Sequence, residues 1–410
     1  MSRPHRGGAA QTGPPRSDLF AFIWALVVRR DLNDPTRRPR RVDLRALRAR
    51  DPAFDPERFL EKASEAFLAV QAAWSAEDLS PVRRVLSDGV TNRFSTYLGL
   101  NALQGQRNVL SSVKVVDRRI VAVRLEGAHE SLTVRFTASC VDQYQDRSSG
   151  AVLRGAASPV RFTERWTFLR SRDVSSRAVS LLDRRCPSCG SPLVVAQTAR
   201  CESCGVLVNS GAHDWVLAEI TQDGPNLDAT DAAPDGADAL TDLPDGSVQL
   251  LEDRASAAFW SVLDAAVRRA PARTRRMLTP AQYASFAADP DGDRSAAVDV
   301  GVGEVRALRV DAGPDGLTAA VQVAWSGTRV TVKPDGSRVA GEKFHRTDVL
   351  TFARQFGAAP IRGLVTLGCG ACGGPLDRSD QGACPWCDTP LDPVPTDWLL
   401  SDGLSGIFDA

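Results

Sequence analysis

Eight of the nine cysteines in this sequence form two groups with the same spacing. In both groups, eleven residues separate two Cys-x-x-Cys pairs, and the tryptophan of an Asp-Trp dipeptide stands eleven positions after the last cysteine. This agreement indicates one structural unit that is used twice. The first cysteine group is Cys186, Cys189, Cys201 and Cys204, and the second cysteine group is Cys369, Cys372, Cys384 and Cys387.

The spacing of both groups suits a tetrahedral metal site. Each Cys-x-x-Cys turn directs two thiolates toward one point, and a second turn on a facing hairpin completes a four-sulfur shell. Redox motifs would not come as matched pairs, and disulfides need an export signal that we do not recognise here. The sequence therefore predicts two structural zinc ions per chain, with iron as the alternative metal. We expect the ninth cysteine, Cys140, to be a small buried apolar side chain.

Charge is distributed unevenly along a chain whose formal net charge is zero. No global field therefore attracts nucleic acid or membrane. Residues 1–50 are rich in arginine, and we expect a basic, largely disordered arm. Residues 221–247 are rich in Asp, Ala, Gly and Pro and contain no basic residue, which predicts an acidic flexible linker.

The basic arm contains a short apolar run from Leu19 to Val28, followed by Arg29 and Arg30. Ten residues are half of the ~20 that a membrane span needs, and no small-residue cleavage site follows them. Residues 19–41 can contact an anionic membrane surface, or the run can pack on the domain that follows. We expect a cytoplasmic protein, with peripheral contact on the inner face of the cell membrane as an added expectation.

The spacing of apolar residues within residues 51–175 changes once, from a helical period to the period of a strand. The Asp55-Pro56 dipeptide is a helix start, and apolar residues then recur with the helical period as far as Gly105. After Gly105 the period becomes two, as in a half-buried strand. Three helices followed by an antiparallel meander predict an α+β fold in which the helices cover one face of the sheet.

Residues 51–171 resemble a known family. The segments DPAFDPERFLEKASEAFLAVQAAWSAEDL, QRNVLSSVKVVD, LTVRFTAS and FTERWTFLRS carry the resemblance. The family is the C-terminal domain of the forty-four-kilodalton subunit of the mitochondrial inner-membrane translocase, the import-motor membrane anchor, with its bacterial relatives. The resemblance implies a cone of helices on a curved antiparallel sheet around an apolar pocket, in the nuclear-transport-factor and ketosteroid-isomerase-like class. It also implies membrane association and binding of a protein segment or an acyl lipid.

The same pattern returns, shortened, in the second half of the chain. Phe259, Leu278 and Phe286 stand 192 residues after Phe67, Leu86 and Phe94. The strand pattern around Asp348 repeats the pattern around Glu164, so we expect a diverged second cone domain and an internal duplication. The expected order is a cone domain at 51–175, a zinc ribbon at 180–220, the linker, a second cone domain at 248–358, a second zinc ribbon at 364–400 and a tail at 401–410.

Glu164 and Asp348 occupy equivalent positions on the apolar faces of their strands. A desolvated carboxylate can act as a general acid or base, or it can pair with a buried arginine and fix the fold. The sequence supplies no nucleophile motif to accompany either one. The residues predicted to line pockets are Glu164, Trp166, Phe168, Phe136 and Asp348.

These observations favour a non-enzymatic binding or scaffold protein, stabilised by zinc, with apolar pockets for a protein segment or an acyl lipid. One alternative is an enzyme that acts on an apolar small molecule with Glu164 as its acid or base. A second is a nucleic-acid adaptor that uses the ribbons and the basic arm. The low density of basic residues between the cysteine pairs disfavours nucleic acid as a partner.

Overall fold

The computed structural model contains two antiparallel sheets with helices packed on them in the described part of the chain, which confirms the α+β class. The predicted membrane segment, residues 19–41, lies outside the described residues. So do residues 223–232 of the predicted linker and most of residues 358–381. No helix within the described ranges has the length and hydropathy of a membrane span. The structure describes residues 42–177, 179–193, 199–222, 233–241, 243, 246–288, 292–357, 369, 371–372, 374, 376, 382–404 and 407.

The first half places three helices against one sheet. The strand order is β1-β2-β4-β5, with β3 beside β2, and all pairs are antiparallel. The elements are α1 (Arg45–Arg50), α2 (Pro56–Ala76), α3 (Asp88–Leu103), β1 (Gln106–Glu126), β2 (His129–Asp146), β3 (Val152–Gly155), β4 (Val160–Ser171) and β5 (Val216–Gln222).

Local sequence explains where α2 begins and how it is held. The Asp55 side chain accepts hydrogen bonds from the backbone N–H groups of Glu57 and Arg58, and Pro56 occupies the first turn. The apolar face of α2 then packs on the inner face of the sheet. There Phe67 lies 4.7 Å from Phe136 and 4.8 Å from Trp166 between ring centroids. Aromatic side chains bury about 150–250 Å² each, so this contact fixes the helix on the sheet.

The second half repeats this arrangement with fewer elements. Its strand order is β6-β7-β8-β9, again antiparallel. The elements are α4 (Val248–Arg268), α5 (Pro280–Ala287), β6 (Arg294–Ala312), β7 (Gly316–Val332), β8 (Arg338–Gln355) and β9 (Leu399–Asp402).

The helix ends also repeat at the offset of 192 residues. The helices α2 and α4 each contain 21 residues, and their C-caps are left-handed, at Glu77 with φ 56° and Arg269 with φ 55°. The N-caps of α3 and α5 are Ser87 and Thr279, and each side chain accepts a hydrogen bond from the backbone three residues ahead. The equivalence of the halves is therefore visible in their backbones as well as in their apolar residues.

Each sheet is completed by a strand that follows a cysteine group. The strand β5 pairs with β4, where Ile220 is opposite Trp166, and β9 pairs with β8, where Leu400 is opposite Phe352. The sequence analysis assigned residues 216–220 and 399–400 to the ribbons, and the structure places them in the sheets instead. The reason is that these segments carry apolar side chains that the sheets bury, including Leu217 and Leu400, both fully buried.

The helix α4 belongs to the second half. It lies between the second sheet and the helices of the first half, and it is buried on almost all sides. Nineteen of its 21 residues are buried. On one side Phe259 packs against Trp325 of β7, with ring centroids 5.1 Å apart. On the other side, the Asn92 side chain of α3 donates to the carbonyl oxygen of Ala257 at 2.9 Å. One hydrophobic core runs through both halves, so they pack as one body.

The predicted flexible linker is partly ordered, which corrects the expectation for its C-terminal part. Residues 237–240 form a 3-10 helix, and Leu240 is buried. The backbone of Asp235 exchanges hydrogen bonds with β6, one of them from the N–H of Val310 at 2.8 Å. Gly236 has φ 72°, and a Cβ there would lie 2.1 Å from the Val310 carbonyl oxygen. The acidic composition of the linker did not indicate that part of it packs on β6 through its backbone and buries its leucines.

Candidate metal centres and predicted pocket residues

The four sulfur atoms of each cysteine group lie within 4.8 Å of one another. In the first group Cys186 and Cys204 are 3.7 Å apart between sulfurs, and Cys189 and Cys201 are 3.8 Å apart. A tetrahedron with Zn–S bonds of about 2.3 Å has S···S edges of about 3.8 Å. The second group gives the same distances, 3.8 and 3.7 Å. Both groups therefore have the dimensions of a tetrathiolate metal site.

Tight turns hold the sulfur atoms of the first cysteine group in place. The N–H of Cys186 donates to the carbonyl oxygen of Ser191, and the N–H of Gly190 donates back to Cys186. Gly190 has φ 75°, a left-handed conformation that glycine adopts without strain. The N–H of Ser188 points at the Cys186 sulfur, 3.4 Å away. In the second group the N–H groups of Ala371, Gly374 and Trp386 make the same kind of contact.

The burial of the cysteines is also the same in both groups. The first cysteine of each pair is buried and the second is exposed. Four thiolates complete the coordination of zinc and leave no position for water or substrate. This geometry fits a structural site. Cys140 is buried outside both groups, as expected.

The Asp-Trp dipeptides connect the cysteine groups to the helices. Trp215 is buried against Phe59 of α2, with ring centroids 5.2 Å apart, and the Asp214 side chain accepts from the Trp215 N–H. In the second half the Asp397 side chain accepts from the Trp398 N–H and from Arg254 of α4, the latter at 2.5 Å. Each cysteine group is thus followed by a carboxylate and an indole that face the first long helix of its half.

The predicted pocket residues of the first half lie in the core. Phe136, Trp166 and Phe168 are each 0% exposed, and Glu164 is 5% exposed. The indole N–H of Trp166 donates to Glu164 at 2.9 Å. The aromatic side chains contact each other and α2, so the apolar pocket stays a prediction.

Asp348 in the second half has an equivalent environment, built differently. Its carboxylate accepts from the indole N–H of Trp325 on β7 and from Arg346, both at 2.6 Å. In the first half the indole donor stands on the same strand as its carboxylate, whereas here it comes from the neighbouring strand. Both carboxylates are already hydrogen-bonded to protein donors, which favours the structural role over the catalytic one.

We expect Glu164→Gln to destabilise the protein by about 1–3 kcal/mol. Burial lowers the pKa of Arg93, and the Glu164 carboxylate opposes that shift. Glutamine keeps an acceptor for Trp166 but removes the charge that faces Arg93. Urea unfolding measures the effect, with Glu342→Gln on the exposed part of β8 as the control. Equal unfolding midpoints for the two variants would contradict the structural role of Glu164.

A polar cavity lies between the two halves, and no sequence pattern had indicated it. Its volume is about 60 Å³, large enough to hold water. The hydroxyl groups of Thr133 and Thr167 lie 3.0 Å apart in its wall, and burial raises the pKa of Glu219 to about 7. The period-two pattern of β2 and β4 could have shown that Thr133, Arg165 and Thr167 lie on the opposite face of the sheet from Trp166. The lining residues are Ala122, Arg124, Ser131, Thr133, Arg165, Thr167, Glu219, Thr221, Gln249, Glu252, Glu304, Val305 and Arg306.

Fold and sites together define an α+β protein in which helices pack on antiparallel sheets and two four-cysteine groups precede the edge strands. Residues 41–180 match the family model described as a Tim44-like domain, 140 of the 410 residues. The match contains α1 to α3 and β1 to β4, and it ends before Cys186. It confirms the resemblance of residues 51–171. Comparison of the chain with curated proteins gives no match.

Proposed function

We propose that the protein is a non-enzymatic binding or scaffold protein that associates with a membrane and is stabilised by zinc. The match of residues 41–180 to the Tim44-like domain carries this proposal. The hydrogen-bonded state of Glu164 adds support, because its carboxylate already accepts from an indole N–H. We assign the protein to the cytoplasm and to the inner face of the cell membrane.

Zinc is the metal that we assign to both cysteine groups. The S···S distances of 3.7 and 3.8 Å support it, as does the closed four-thiolate shell. The ribbons also need a metal for stability, since the buried cluster around the first group contains five residues, two of them cysteines. A segment with so small a core depends on its metal to fold.

The ligand that we assign to the first half is a protein segment or an acyl chain on the inner face of the sheet. This face is apolar, with Phe136, Trp166 and Phe168 along β2 and β4. Phe136 and Trp166 pack beneath Phe67 of α2, and Phe168 packs against Phe59 of the same helix. Entry of the ligand therefore requires α2 to move away from the sheet.

The basic arm is the segment that we assign to the membrane. Clustered arginines near an anionic surface contribute about 1 kcal/mol each before screening. This attraction falls within a Debye length of about 8 Å at physiological salt, so membrane binding should weaken as salt is raised. The apolar run Leu19 to Val28 can enter the interface beside them.

We expect the full chain to sediment with vesicles of phosphatidylcholine and phosphatidylglycerol at low salt and to dissociate at high salt. Residues 45–50 of the predicted arm are not disordered but form α1, which Leu47 anchors in the core. A variant that begins at residue 42 therefore removes the arm up to residue 41 and keeps every described element, so it should stay in the supernatant. Vesicles of phosphatidylcholine alone control for contact that does not depend on charge. Equal sedimentation of both proteins, or none of the full chain at low salt, would contradict the membrane role of the arm.

A further inference from the structure

A buried guanidinium lies against the chain that leads into the first cysteine group. Arg84 precedes α3 and is 6% exposed. Its Nη1 atom donates to the carbonyl oxygens of Asp183 and Arg185, the latter at 2.8 Å. Arg185 directly precedes Cys186, so the position of the guanidinium is fixed relative to the first metal ligand. Burying a cation at such a place is costly unless negative charge compensates it.

The second half has an arginine at the equivalent place. Arg276 stands 192 residues after Arg84, the offset that also relates the helices and their caps. The negative charges that act on Arg84 include those of Asp214 and Cys186. Those that act on Arg276 include the equivalent pair, Asp397 and Cys369. These two negative neighbours recur at equivalent positions, whereas the other charges near the two arginines differ.

A zinc tetrathiolate needs a positive neighbour of this kind. Four thiolates carry four negative charges and zinc carries two positive ones, so the site has a net charge of about −2. The first cysteine of each pair is buried, so water screens this negative charge only in part. Residues just outside a metal shell orient the ligands and tune the metal, and their loss costs about 10–100-fold in metal affinity.

We propose that Arg84 and Arg276 are positioning residues of the two metal centres. Each offsets the excess negative charge of a zinc tetrathiolate from the protein side, and Arg84 also holds the backbone that carries the first cysteine. This inference rests on the proposed occupancy of both groups by zinc. It adds to that proposal the residues that set the affinity of each site.

A chelator competition on the full-length protein tests the inference. We expect Arg84→Met to release one zinc ion at about 10–100-fold lower chelator strength while the other stays bound. Arg84→Lys keeps the charge and should restore most of the affinity. Arg177→Met is the matched control, because Arg177 also donates to the backbone of the first ribbon, at Pro187, but is exposed.

Replacing zinc by cobalt supplies an absorption band that a purely structural role of Arg84 would not change. Loss of the nearby positive charge raises the energy of the sulfur electrons, so the sulfur-to-cobalt charge-transfer band should move to lower energy in Arg84→Met and not in Arg177→Met. Arg276→Met should produce the same changes at the second group.

Three results would overturn the proposal, and they differ from one another. A wild-type protein without zinc contradicts the assigned metal, and this inference with it. Two tightly bound zinc ions in Arg84→Met with an unchanged cobalt band contradict the inference alone. Equal weakening in Arg84→Met and Arg84→Lys means that hydrogen-bond geometry, and not charge, sets the affinity. If Arg84→Met does not fold, Arg276→Met gives the same decision at the second group, where release of one zinc ion and a shifted cobalt band are expected and their absence would contradict the inference.

Discussion

Replacing Cys186 by serine should lower the zinc content of the purified protein from two equivalents to one and unfold the first ribbon. The cluster around this group is too small to hold the ribbon without metal. Structural zinc contributes about 10–16 kcal/mol of apparent binding free energy, which in such a segment is folding free energy. The loss should extend to β5, because this strand follows the ribbon and pairs with β4.

Elemental analysis of protein purified without added metal measures this expectation. Cys140→Ala is the control, because Cys140 is buried in the sheet and lies outside both groups, so two equivalents should remain. Hydrogen exchange should report faster exchange in β5 for the Cys186→Ser variant alone. Two equivalents of zinc in the Cys186→Ser variant would contradict the assigned ligand set.

Arg170→Met should be the most destabilising single change in the first sheet, by about 3–5 kcal/mol. Arg170 is 0% exposed and donates to Glu130 at 2.5 Å and to Asp51 at 2.6 Å. Its guanidinium also lies over the Trp215 ring at 4.3 Å. Removing it leaves two buried carboxylates with one partner fewer each, and takes away the cation that lies over the Trp215 ring.

Urea unfolding measures this effect, with Arg161→Met on the exposed start of β4 as the matched control. A variant that also carries Asp51→Asn should recover part of the lost free energy of unfolding, since a neutral amide replaces the carboxylate that Arg170 neutralised. Glu130 stays unchanged in this variant, because it keeps its ion pair with Arg50. Equal unfolding free energies for Arg170→Met and Arg161→Met would contradict the role of the network.

The two four-cysteine groups and the α+β class could be predicted from the sequence because their signals are local. The cysteine spacing depends on two short turns, and the helix start at Asp55 depends on three neighbouring residues. The equivalence of the halves was visible because three apolar residues kept one offset.

The burial of α4 could not be predicted, because its charged residues resemble a water-exposed face. In the structure three of them, in the first two turns of the helix, find distant partners. Asp253 accepts from Ser87 at 2.6 Å, Glu252 accepts from the N–H of Ala307, and Arg254 donates to Asp397. These partners stand 55 to 166 residues away in sequence, beyond the reach of any periodic pattern. The edge strand β5 was missed because its partner β4 ends at Ser171, far before Val216, with the first cysteine group between them.

The position of α4 has a consequence for synthesis on the ribosome. The first sheet can form once residue 222 has emerged, but α4 and β6, which cover its outer face, end at residues 268 and 312. At about 5–20 residues per second, this face waits on the order of 5–18 s for its cover. Thr133, Thr167 and Arg165 lie on that side, and Leu169, Val216 and Ala218 add only a small apolar patch. The waiting surface is therefore mostly polar and has little tendency to bind other nascent chains. The polarity of the seam thus protects the protein at the moment when only half of it exists.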